Sequence, residues 1–124
     1  MASLLDGAGQ IKMATLEAAV IIMQRLHGQV ELLAVSVKNQ QPASGFRGPF
    51  QRAATPLVGL LKSQFGSVAD IVTGMLLVAG RGGNEQAKVR ALRESVGQLR
   101  MQLDIAMNKV KEKHAVSAAG ASPE

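Results

Sequence analysis

The 124-residue chain has no cysteine, tryptophan or tyrosine, and only three phenylalanines, four prolines and two histidines. Without cysteine there is no disulfide framework, no thiolate nucleophile and no sulfur-ligated metal. His27 and His114 are too few for a His-rich metal site, and no Glu-x-x-His pair of the kind used by di-iron bundles occurs. Neither G-x-x-x-x-G-K-[ST] nor a G-x-G-x-x-G run opening a βαβ unit is present. We therefore expect no metal, no cofactor, no small-molecule substrate and no catalysis. The apolar run Ile71–Gly80 is half the roughly 20 residues of a membrane span. The opening MASLLDGAGQ carries Asp6, no leading Lys or Arg and no apolar leader core, so the expected location is cytoplasmic, away from a bilayer.

What is present is aliphatic and basic. Apolar residues make up 47% of the chain, and 14 Lys plus Arg against nine Asp plus Glu give a net charge of +5, which favours polyanionic partners. Nearly all of that excess sits in residues 81–114, where eight basic side chains face four acidic ones.

The apolar residues form three heptad series. Leu16, Met23, Val30 and Val37 alternate with Ala19, Leu26 and Leu33; Val58, Phe65, Val72 and Ala79 with Leu61, Val68 and Met75; and Val89, Val96, Leu103 and Val110 with Leu92, Leu99 and Ala106. None shows the two-residue period of a strand. Residues 39–56 hold three of the four prolines and read as the end of the first helix, Gly80–Gly83 as the end of the second, and Asn84 as the N-cap of the third. The expected fold is all-α: an antiparallel bundle of three long helices of about 30, 24 and 30 residues over 1–114. Ser3 with Asp6, or Gly48–Ala54, leaves room for a fourth short piece, and 115–124 reads as a disordered tail.

The second helix is apolar almost all round between Val68 and Ala79, which suits a central or interfacial helix and predicts self-association through Ile71, Leu76, Leu77 and Val78. Four other features have competing readings. His27 and Glu31 at i,i+4 could form an acid–base pair, but a surface ion pair is the simpler reading. His114 reads as part of a solvated basic helix end with Lys109, Lys111 and Lys113. Asp70 shares a helix side with Ser63 and Ser67, which reads as a polar face rather than a buried acid. Phe46-Arg47-Gly48-Pro49-Phe50-Gln51-Arg52 sets two aromatics beside two arginines; a base-stacking loop competes with a plug for the bundle end, and the plug is preferred.

Arg81, Lys88, Arg90 and Arg93, with Arg100 further along and Arg47 and Arg52 in the Phe-Arg segment, are the candidate nucleic-acid contacts, and an ordinary solvated face offset by Glu85, Glu94, Asp104 and Glu112 is the competing reading. From Leu61 to Met107, Ser63-Gln64, the turn Gly80-Arg81-Gly82-Gly83 and the basic stretch Lys88–Arg100 resemble the four-helix-bundle family linked to intervening sequences of large ribosomal RNA. They also resemble its branch of accessory proteins to retroelement reverse transcriptases. Where that family carries Asn-Ile-Ala-Glu-Gly, this chain has Leu76-Leu77-Val78-Ala79-Gly80. The resemblance implies a basic oligomeric bundle that contacts RNA and a polymerase partner through Arg81, Lys88, Arg90 and Arg93. The expected function is a non-catalytic, homo-oligomerising assembly or adaptor protein that binds a protein partner and touches RNA or DNA. The alternative is a helical component of a secretion or membrane-associated assembly.

Overall fold

The structure, a computed structural model, describes residues 4–42 and 45–116; Ser3 and residues 117–124 of the expected tail lie outside the described residues. It is an all-α bundle of four helices in antiparallel succession: α1 (Gly7–Lys38), α2 (Arg47–Leu61), α3 (Gly66–Ala79) and α4 (Glu85–His114). The long helices α1 and α4 pack on each other, and the short hairpin α2–α3 lies across them, α2 on α1 and α3 on α4.

Asp6 starts α1 directly, its carboxylate accepting the N–H of Gly9 at 2.7 Å, and no separate leading helix precedes it among the described residues. Asn84 starts α4 as expected, accepting from Ala87 N–H at 3.1 Å. Alpha-1 ends at Lys38, where the segment from Asn39 is expected to stop it, but a backbone closure rather than a proline ends it. Gln41 N–H reaches Ser36 C=O at 2.8 Å and Gln40 N–H reaches Val37 C=O at 3.1 Å, with Gln40 at φ 55°. That is a Schellman closure with glutamine in the left-handed position, and it stops the helix before Pro42.

The middle heptad series is two helices rather than one of about 24 residues. The chain turns at Lys62–Gln64, and Phe65 at φ −132°, ψ 54° carries it out of helical conformation before α3 begins. Gly48–Ala54, expected at most as a short turn, lies inside α2. Pro49 occupies the first turn, where its missing N–H costs nothing, and Pro56 is accommodated in the interior at the loss of one helical bond. Two antiparallel helices of 15 and 14 residues preserve the heptad phase across the turn, because Leu61 before it and Val68 after it both face the core.

Seventeen of the 21 heptad positions are buried; Val37, Val58, Phe65 and Ala106 are partly buried and pack on that core. The rest of the core is Met13, Ala69 and the α2 residues Phe50, Ala54 and Leu57. No polar side chain belongs to it among the described residues. Alpha-1 also has the length and composition of a membrane-crossing helix, with a mean hydropathy of 1.2 over an 18-residue stretch. The continuous apolar run Ile71–Gly80 belongs to a helix too short for that.

The two ends of the described chain meet. Leu4 and Leu5 pair antiparallel with Val116 and Ala115, so ordered structure runs two residues past His114. Asp6 N–H donates to His114 C=O at 3.0 Å. His114 is not a solvated helix end: its side chain is 13% exposed, with Nδ1 at 3.2 Å from Asp6 Oδ1 and Nε2 at 3.3 Å from Lys12 Nζ. An ammonium can only donate, so Nε2 is the acceptor and Nδ1 carries the proton that is donated to Asp6.

Candidate nucleic-acid interface

At the opposite end of the bundle α1 and α3 finish while α2 and α4 begin. Arg47 is the first residue of α2, Arg81 follows the end of α3, and Lys88 lies in the first turn of α4. These three cations, Arg47 distant in sequence from the other two, line one cleft of about 360 Å³ with Phe46 and Glu85. Arg47 lies over Gly80, its Nη2 3.4 Å from where a Cβ would sit. Arg52 folds back along α2 toward Gly48, so its charge points to the same end. A neighbouring groove of about 550 Å³ between the end of α1 and the start of α4 is lined by Lys38, Arg90 and Arg93. Arg100 is exposed on α4, about 18 Å beyond Lys88 at 1.5 Å per residue.

The seven predicted contacts are not equally free. Arg93 donates from Nη2 and Nε to the Glu31 carboxylate at 2.7 and 2.9 Å, a forked pair that joins α4 to α1. Those hydrogen bonds hold the Glu31 carboxyl below the usual range and push the Arg93 guanidinium up. Lys88 pairs with Glu85 at 3.3 Å and its side chain is only 11% exposed. Arg47, Arg52, Arg81, Arg90 and Arg100 make no ion pair among the described residues. The sequence assigned Glu31 to His27, and that contact exists at 3.9 Å, but Arg93 holds the carboxylate more closely.

The aromatics of the Phe-Arg segment face inward. Phe50 is fully buried, and Phe46, half-buried, tilts against it with ring centroids 5.0 Å apart. Asp70 is exposed on the outer side of α3 with Ser67 and Thr73. Of the apolar α3 residues singled out for self-association, Ile71, Leu76 and Val78 are partly buried against their own core, and Leu77 stands 64% exposed. Lys38 is the member of the basic end that the sequence reading missed; as a lone cation in a last helical turn, it looked like an ordinary partner of the helix dipole. A further hollow of about 310 Å³ at the far end, where the α2–α3 hairpin stops short, is bordered by Lys12, Lys109 and Lys113. Among the described residues no group of three or more acidic or histidine side chains is placed to hold a metal ion.

No protein-family model, curated protein or solved structure matches the chain.

Proposed function

We propose that this protein is a non-catalytic, self-associating helical bundle that serves as an adaptor and binds RNA or DNA through its basic end, as an accessory to a nucleic-acid enzyme. One observation carries the reading: Arg47 from the start of α2, Arg81 from the α3–α4 turn and Lys88 from the start of α4 converge on a single cleft, with Arg52, Lys38 and Arg90 beside it. Cations around a concave surface suit a chain of phosphates, whereas the buried Phe50 takes no part in stacking bases. Self-association is supported by exposed apolar side chains on α1, Leu77 on α3 and Met101 on α4. The resemblance of Leu61–Met107 to the ribosomal-RNA intervening-sequence bundles points the same way, and we propose kinship with them.

The test is fluorescence anisotropy with a labelled 20-nucleotide single-stranded RNA and its DNA counterpart across a salt series. Affinity should fall steeply with salt. Arg47→Glu with Arg81→Glu should weaken binding and flatten the slope of log K against log salt by about 1.4, since each phosphate contact on a single strand contributes roughly 0.7. Absence of binding at 50 mM salt overturns the nucleic-acid reading. The apolar outer side of α1 favours the membrane-assembly alternative; co-sedimentation with neutral and anionic vesicles, retained by the double variant, is the outcome that supports it.

A further inference from the structure

Alpha-1 carries two heptad stripes. The inner one, centred on Leu16, Met23 and Leu26, is buried in the bundle. On the opposite side Ile11, Ile21, Leu32 and Val35 are 65, 61, 69 and 53% exposed. From Gly7 to Val35 the positions reached by alternating steps of four and three hold these four side chains, four small residues and one charge, Arg25. This spacing, held on the outward face from Gly7 to Val35 of a 32-residue helix, forms the seam of a second coiled-coil contact.

We propose that this stripe is the contact with a second copy of the chain, the two α1 helices lying antiparallel about a two-fold axis between Ala19 and Val20. This rests on the self-association reading above and specifies its surface. The stripe is complementary to itself when reversed. With the axis there, Ile11 lies opposite the partner's Gly28, Ile21 opposite the partner's Ala18, Leu32 opposite the partner's Gly7, and Arg25 opposite the partner's Ala14. Each of these four layers sets a large side chain against a small one, which fills space while letting the backbones approach closely, and Val35 lies past the end of the shared seam. The charges agree as well. Neither Arg25 nor Glu17 has an ion-pair partner within its own chain among the described residues. In this register Arg25 lies over the partner's Ala14, within one helical turn of the partner's Glu17, so its guanidinium reaches a carboxylate while its stem covers the small residues beneath it. A parallel pairing would stack Arg25 on its own copy.

The absence of cysteine makes the register directly measurable. The double variant Ile11→Cys/Gly28→Cys, treated with a short bismaleimide, should give covalent dimers, while each single variant should not. Residues 11 and 28 are about 25 Å apart along one helix, too far for the same reagent to bridge them within a chain. Nothing in the chain lies within 4 Å of a Cβ added at Gly28, so the variant leaves the bundle intact. Glu17→Arg and Arg25→Glu should each weaken the dimer in sedimentation, and together restore it. Cross-linking of the single variants signifies a parallel contact and overturns the proposal. An oligomer in light scattering that shows neither the cross-link nor the charge rescue overturns this surface while leaving self-association standing; a monomer at every concentration overturns both.

Discussion

The Arg93 guanidinium grips the Glu31 carboxylate with two donors at 2.7 and 2.9 Å, fastening α4 to α1 at a point where both residues are largely open to water. A forked pair of this geometry is specific, but solvent and salt screen it. Glu31→Gln, Arg93→Gln and the double variant, compared by chemical denaturation, should show a small favourable coupling that vanishes at high salt. Arg93→Glu should lower stability as well as nucleic-acid affinity, so Arg90 rather than Arg93 is the clean probe of phosphate contact in that groove.

Acid should loosen the molecule through two carboxylates. Asp6 is held below the ordinary aspartate range, first by the backbone N–H of Gly9 and then by His114; Glu31 is held down by Arg93. A depressed carboxylate contributes stability that is complete above its unfolded pKa and is lost as pH falls through its folded value. Melting temperature should therefore hold steady above about pH 5 and fall below about pH 4. Asp6→Asn keeps an acceptor for the Gly9 N–H, since asparagine caps as well as aspartate. It should flatten the acid limb without abolishing the helix start, and an unchanged acid limb would remove Asp6 from this account.

Periodicity made the core legible, because a seven-residue repeat reports which side of a helix is buried whatever direction the helix runs. For the same reason it concealed the reversal at Lys62–Gln64: the phase continues from Leu61 to Val68 through the turn, so one helix and a hairpin read alike. Caps at Asp6 and Asn84 are local and readable, whereas the Schellman closure at Gln40 uses a residue with no left-handed preference. Cations could be counted in sequence, and the Lys88–Glu85 pair is local to α4, but the capture of Arg93 by Glu31 depends on a contact between helices. The outer stripe of α1 is not legible in the sequence, because it shares the seven-residue period of the inner one and only the burial of the inner stripe separates the two faces.

Two glycines should respond with opposite sign to the same substitution. A Cβ at Gly9 would run into the Cβ of His114, where the end of α4 crosses the start of α1. At Gly97, on the exposed side of α4, nothing lies within 4 Å. Gly9→Ala should destabilise by about 1–3 kcal/mol, the usual range for an overpacked site. Gly97→Ala should stabilise by about 0.5–1 kcal/mol, through the entropy that glycine loses in a helix interior. Urea denaturation of the two variants decides it, and equal effects would mean that the ends of the chain do not meet as described.

Phe50 separates the two readings of the Phe-Arg segment most sharply. Its ring is fully buried against the bundle core, while Arg47 and Arg52, three and two positions away, are exposed. If the ring is a core element, Phe50→Ala should cost about 3–5 kcal/mol, much of the stability of a domain this size. Phe50→Leu retains most of the buried volume, so it should fold and leave RNA affinity unchanged, because no base reaches the ring. Arg47→Glu should do the reverse, preserving the unfolding midpoint while weakening the complex. A Phe50→Leu protein with native stability and several-fold weaker RNA binding would show that the aromatic touches the nucleic acid.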